Sequence, residues 1–209
     1  MREMKSTEVN EARIKEAISV SIAAKEGILS DQKFVTRLHK AAEKIAGAFA
    51  NGNRLYSCGN GGSAADAQHI AAEFSGKYYL DREPLPAEAL HTNASFLTAV
   101  ANDYSYSHVY ERAIKAFGRK GDVLIGISTS GNSKNVIAAQ EEAKRRKMCV
   151  ISFTGASGGA MKNCCDFLFN VPSTDTPRIQ ECHIMIGHII CQLVEEKLFG
   201  DGAKQHGKT

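Results

Sequence analysis

Ile125-Gly126-Ile127-Ser128-Thr129-Ser130-Gly131-Asn132-Ser133 is the stretch that decides the fold class. It opens as an apolar strand, breaks at small hydroxyl residues and Gly131, and leads into a helical pattern that begins near Asn135. Unpaired backbone N–H groups at a helix start attract anions, and hydroxyls add donors without the bulk or charge of lysine. A phosphate monoester suits such a loop. Cys58-Gly59-Asn60-Gly61-Gly62-Ser63 repeats the pattern, with a strand before it and a helix after it.

Outward from these loops the chain alternates. Short strands are predicted at 54–58, near 87–90, and at 123–127, 148–153 and 167–171. Helices are predicted at 63–75, over most of 93–117 with a break at Asn102-Asp103-Tyr104, and at 134–146. A short turn is expected around 158–163, and a long final helix from Arg178 to Leu198. Strands that are apolar throughout, separated by helices, imply a parallel sheet covered on both faces. The expected fold is therefore a three-layer α/β sandwich over residues 54–198. In such sheets ligands bind at the carboxyl ends of the strands, where both loops fall. No GxGxxG fingerprint follows the first strand, and the Gly59–Ser63 turn lacks a Walker lysine, which disfavours dinucleotides and ATP.

Two helices, 9–28 and 31–50, precede the first strand and form an N-terminal arm over residues 1–53. Ile14, Ile18 and Ile22 share one stripe, as do Phe34, Leu38, Ile45 and Phe49. Such an arm needs its own domain or a partner subunit to cover it. Residues 199–209 read as a tail.

The whole chain has 209 residues, 43% hydrophobic and 23% charged, with a net charge of +3. That length supports one large core, and the mild positive excess is too small to imply nucleic acid. Lys144-Arg145-Arg146-Lys147 closes a predicted helix, where basic charge suits the dipole. Six cysteines without a CxxC pair predict buried free thiols in a reducing compartment. With no apolar leader and no long apolar run, the expectation is a cytoplasmic protein with no membrane partner.

Chemistry concentrates on two helices. His69 and Glu73 lie four residues apart, hence on one face. Gln180 and His188 share a stripe of the final helix, about 12 Å apart along its axis. If the helices meet at a strand-end cleft or a subunit boundary, they offer two imidazoles, a carboxylate and an amide. Carboxylate plus imidazole runs acid–base chemistry near neutral pH. The same set suits a divalent metal such as zinc, with the amide its weakest ligand. Each also has a plainer reading. His69–Glu73 is a common surface ion pair, Asn102-Asp103 a common Asx turn, Glu181 a helix-start charge, and His183, off the His188 stripe, a structural residue.

With these residues assembled, the chain resembles the phosphoheptose isomerases of the sugar isomerase, or SIS, domain family. Gly59–His69 with Glu73, Gly126–Ser133, and Arg178–His183 ending in His188 carry the resemblance, which spans essentially the whole chain. It implies a flavodoxin-like sheet and conversion of sedoheptulose 7-phosphate to D-glycero-D-manno-heptose 7-phosphate. That reaction opens ADP-heptose biosynthesis for lipopolysaccharide core or capsule. The resemblance further implies a homotetramer with shared active sites and one zinc per subunit, with no nucleotide or redox cofactor. Carried over residue by residue, Glu73 and His188 match the acid/base pair, and His69, Glu73, Gln180 and His188 match the metal ligands. Asn60, Gly61, Gly62, Asn102, Asp103 and Gln180 match sugar contacts, with Glu73 among them. Ser128, Thr129, Ser130 and Ser133 match the phosphate cradle. Two other readings stand beside this one. One is a non-catalytic protein of the same fold that binds the replication initiator; the other is an isomerase of a shorter sugar phosphate.

Overall fold

The computed structural model describes residues 2–200, with side chains from Asn10 onward. Five strands form one sheet: β1 (Leu55–Cys58), β2 (Ala87–Ala89), β3 (Val123–Ser128), β4 (Cys149–Thr154) and β5 (Phe167–Asn170). The order is β2-β1-β3-β4-β5, and every pairing is parallel. The helices are α1 (Arg2–Ser30), α2 (Gln32–Ala50), α3 (Gly62–Ser75), α4 (Ala94–Asp103), α5 (Val109–Phe117), α6 (Lys134–Arg145) and α7 (Thr176–Phe199). Single 3₁₀ turns occur at Tyr106–His108 and Ala160–Asn163.

Two hydrophobic layers sandwich the sheet. On one side Leu55, Val123, Ile125, Ile127, Ile151 and Phe153 pack with α2, α3 and α7. On the other, Tyr56, Cys58, Leu124 and Val150 pack with α4, α5 and α6. Alternate residues of each strand serve opposite faces, and both faces are covered, so the central strands are apolar throughout. The chain leaves β1 for β2 on one side and returns to β3 on the other. The crevice at the carboxyl ends of β1 and β3 is thus the topological switch point, where this architecture binds ligands.

The predicted strand positions hold to within a residue or two. α1, however, starts at Arg2 rather than residue 9. Hydrophobic periodicity reports burial, and the early turns are made of charged and polar residues with good intrinsic helix propensity. α2 is built into the core through Phe34, Leu38, Ala41, Ile45 and Phe49, capped by Asp31, whose carboxylate accepts from the Lys33 and Phe34 N–H groups. α1 buries Ala24 and Ile28 but leaves Ile14, Ile18 and Ile22 at 60%, 56% and 52% exposure. The expected tail falls largely outside the described residues.

The remaining structural expectations resolve locally. All six cysteines are free thiols; Cys58, Cys149, Cys182 and Cys191 are buried as expected, whereas Cys164 and Cys165 are only half-buried. His183 is fully buried and donates from Nε2 to the Thr154 carbonyl at 3.1 Å. Burial pushes its imidazole down to about 4. Arg145 and Arg146 pair with Glu142 of the same helix, whereas Lys144 pairs with Asp166 just before β5. No helix of the described residues is long and apolar enough to cross a membrane.

Candidate active site

The first loop turns sharply at Gly61, whose φ of +56° is a conformation that favours glycine. No side chain caps α3; the Ser63, Ala64 and Ala65 N–H groups are instead satisfied by the Asn60 and Gly61 carbonyls of the loop itself. Asn60 is fixed from several directions. Its amide exchanges hydrogen bonds with the buried Asn135 at 2.9 Å, and its oxygen also accepts from the Tyr106 hydroxyl at 3.1 Å. The Tyr110 hydroxyl, buried on α5, donates to the Gly59 carbonyl. Asn135 lies in the first turn of α6, so the Asn60 loop is tied directly to the helix that follows the serine loop.

The serine loop leaves β3 and turns at Gly131, with φ +66°. Ser128 and Ser133 hydroxyls bond each other at 2.9 Å, and the Ser130 hydroxyl accepts from the Asn132 N–H at 3.2 Å. The Ser133 side chain does not cap α6. Hydroxyls that satisfy one another can rotate to donate to an arriving anion, beside uncapped helix amides. A cavity of about 340 Å³ adjoins the loop, lined by Thr129, Ser130, Asn132, Ser157, Ser173 and Thr176 among others.

α3 and α7 pack closely because Gly187 has no side chain. A Cβ there would lie 2.6 Å from Ile70. This contact brings His69 and Glu73 of α3 against His188 of α7. His69 Nε2 stands 2.9 Å from Glu73 Oε1 and 3.5 Å from His188 Nε2. The imidazole planes are 80° apart, with centroids 4.9 Å apart. Burial, then the neighbouring His69, hold His188 below the ordinary imidazole value, against the opposite pull of Glu73. Asp66, one turn earlier on α3, has a buried oxygen without a partner among the described residues, and burial pushes its carboxyl up to about 6.

The three donors His69, Glu73 and His188 all lie within 4.8 Å of one another. A single ring nitrogen offers either one lone pair or one proton, so His69 Nε2 cannot serve both Glu73 and His188 well. A shared divalent cation satisfies all three. Two imidazole nitrogens on a tetrahedral zinc at about 2.0–2.1 Å also stand roughly 3.3 Å apart. The donor set therefore fits such an ion.

Gln180 points to the first turn of α3, where a Cβ on Gly62 would lie 2.5 Å from its amide nitrogen. It thus stands beside the Asn60 loop, while His188 lies two turns further along α7. Asn102 and Asp103 close α4, exposed and bonded to each other at 3.0 Å. Among the described residues they make no side-chain hydrogen bond to the other candidates. Tyr78, which the sequence reading did not single out, has its ring 5.8 Å from that of His188. It sits in Lys77–Glu83, a segment without periodicity, and its only sequence signal was an aromatic pair just after α3.

A parallel α/β sheet with a hydroxyl loop at its switch point and a cluster of His69, Glu73 and His188 between α3 and α7 defines the class of protein to which the chain belongs. The chain belongs to the SIS domain family, whose profile matches residues 25–155. Within it, similar relatives include phosphoheptose isomerases. The chain is 54% identical to the phosphoheptose isomerase of Clostridium acetobutylicum over 188 residues, covering 90% of this chain and 96% of that protein. It is 53% identical to phosphoheptose isomerase 2 of Campylobacter jejuni over 189 residues, covering 90% and 94%. The solved phosphoheptose isomerase GmhA from Neisseria gonorrhoeae superposes with a TM-score of 0.83 at 43% identity, covering 89% of this chain and 98% of that one.

Proposed function

We propose that the protein is an aldose–ketose isomerase that converts sedoheptulose 7-phosphate to D-glycero-D-manno-heptose 7-phosphate. The observation that carries this reading is the meeting of Glu73 and His188 across the α3–α7 contact, in a chain over half identical to a phosphoheptose isomerase.

The serine loop and the α6 amides take the phosphate, which fixes the chain so that binding energy at the far end orients the reacting carbons. Gln180, with Asn60, Gly61 and Gly62, holds the sugar hydroxyls, and Asn102 and Asp103 supply further contacts. Glu73 removes a proton from C1 of the open-chain ketose, giving an enediolate, and the proton is delivered to C2. His188 exchanges protons with the oxygens on C1 and C2, so that O1 loses a proton and O2 gains one. The hydrogen bond of Glu73 to His69 engages Oε1, leaving Oε2 for the substrate. His69, Glu73 and His188 would hold a zinc ion, which would supply Lewis-acid polarisation of sugar oxygens; Gln180, the fourth ligand that the resemblance implies, stands instead beside Gly62.

The exposed stripe Ile14, Ile18, Ile22 supports a homotetramer, since subunit contacts would cover it. In the same reading the enzyme is cytoplasmic and opens ADP-heptose synthesis for a surface polysaccharide. Incubation with sedoheptulose 7-phosphate, followed by detection of the aldose, tests the activity, with hexose and pentose phosphates run in parallel. Faster turnover of a shorter sugar overturns the substrate assignment. Association with a replication initiator in the absence of any isomerisation overturns the enzymatic reading.

A further inference from the structure

Among the described residues, Arg82 and Glu195 are the charged pair most completely withdrawn from solvent, each side chain 3% exposed, with Arg82 Nε 3.0 Å from Glu195 Oε2. The chemistry above uses neither. Glu195 lies on α7, seven residues after His188 and so on nearly the same face. Besides Arg82, its carboxylate accepts the backbone N–H groups of Tyr78, Tyr79 and Leu80 at 3.3, 2.8 and 2.9 Å. The guanidinium of Arg82 donates to the carbonyls of Glu73 at 2.9 Å, Phe74 at 2.8 Å and Gly76 at 3.2 Å. Glu73 and Phe74 lie in the last turn of α3, whose carbonyls lack partners within the helix, and Gly76 is the residue that follows it; the Phe74 carbonyl also accepts the Leu85 N–H. The pair therefore clamps the backbone of Glu73 itself, the segment that follows it and the helix that carries His188.

Holding two helices together does not require this chemistry. Buried ion pairs pay a desolvation cost, and apolar residues of similar size often replace them without loss of stability. Arg82 and Glu195 supply directional hydrogen bonds to chosen backbone atoms. One consequence is the placement of Tyr78, whose ring lies tilted by 33° against the His188 imidazole and is itself packed on Tyr79.

We infer that Arg82 and Glu195 are positioning residues for proton transfer: they set the register of Glu73 against His188 and hold Tyr78 on the imidazole to fix its orientation. This inference rests on the acid/base reading of Glu73 and His188. A planar guanidinium reaches several carbonyls at once, which a lysine ammonium on a flexible stem does not reproduce.

The test is steady-state isomerisation of sedoheptulose 7-phosphate by the wild type, the double variant Arg82→Met/Glu195→Leu, the single variant Arg82→Lys and the single variant Tyr78→Leu. The double variant removes both charges together and so avoids leaving one buried without its partner. The expected result is a fall in kcat of at least tenfold in the double variant and in Arg82→Lys, with KM within twofold of the wild type because the phosphate loop is untouched. Tyr78→Leu keeps the clamp. It is expected to lower kcat severalfold and to remove the ring-current shift of the His188 ring protons in NMR spectra. Should the double variant fail to fold, Arg82→Lys and Tyr78→Leu carry the decision. Wild-type kcat in the folded variants, with unchanged His188 shifts, overturns the inference and leaves the pair purely structural. An inactive wild type refutes the acid/base reading instead.

Discussion

His69 and His188, 119 residues apart in sequence, present their Nε2 atoms to each other at 3.5 Å. A ring nitrogen carries one proton or one lone pair, so His69 Nε2 cannot bond well to both His188 and Glu73, which stands 2.9 Å from the same nitrogen. A divalent ion resolves the competition. Equilibrium dialysis against zinc is expected to load about one ion per chain. His69→Asn should weaken binding by more than the roughly 10–100-fold that outer-shell changes cost. Equal zinc affinity in the variant would refute the site.

The α3–α7 contact at Gly187 is a packing prediction. Alanine is favoured over glycine inside a helix by about 1 kcal/mol. Here the new methyl would meet the side chain of the fully buried Ile70 at 2.6 Å, so something must shift. Overpacking of about 1–3 kcal/mol outweighs the propensity gain. Gly187→Ala is expected to lower Tm by a few degrees and to lower kcat, because the shift separates His188 from His69. A raised Tm with full activity would show that the helices repack freely.

The serine loop depends on Gly131. Its φ of +66° disfavours any side chain by about 1–2 kcal/mol, and a Cβ would also strike the Gly158 carbonyl. Gly131→Ala should raise KM for the phosphorylated ketose at least tenfold. Inorganic phosphate should likewise lose potency as a competitive inhibitor of the variant. Unchanged KM and phosphate inhibition would place the anion elsewhere.

His183 gives the pH prediction. Its pKa is about 4 in the folded chain, against about 6.5 when unfolded, so folding favours the neutral ring. Its contribution is fully present above pH 6.5 and is lost as pH falls from there toward 4, by about 1.4 kcal/mol per pH unit. Asp66, pushed up to about 6, acts in the opposite sense over much of that range. A comparison of the wild type with His183→Gln isolates the histidine, because Asp66 is common to both. Denaturant unfolding should show the stability difference shifting in favour of the variant by roughly 3 kcal/mol between pH 7 and pH 4. A constant difference would show that His183 does not titrate on unfolding.

The sheet was legible because strands such as Val123–Ser128 are apolar on both faces and end in glycine and hydroxyl punctuation. The i,i+4 spacing of His69 and Glu73 showed that they share a face. The position of that face depends on Gly187 and Ile70, a long-range fit that periodicity does not encode. Ile14, Ile18 and Ile22 were legible as a stripe, yet a stripe does not say whether its own chain covers it. Least visible were Tyr78, Arg82 and Glu195. Glu195 bonds the backbone of Tyr78–Leu80, Arg82 the carbonyls at the end of α3, and Tyr78 packs on the distant His188 ring; no spacing rule records such contacts.

In the proposed reaction Glu73 moves a proton between C1 and C2 of a phosphorylated ketose. Isomerisation of sedoheptulose 7-phosphate in D₂O, followed by mass and NMR analysis of the aldose, tests it directly. The wild type is expected to place deuterium at C2 in at least part of the product, and folded Glu73→Gln should lose about 10²–10⁴-fold in turnover. Turnover of the variant near the wild-type level, with deuterium still entering C2, would contradict the account.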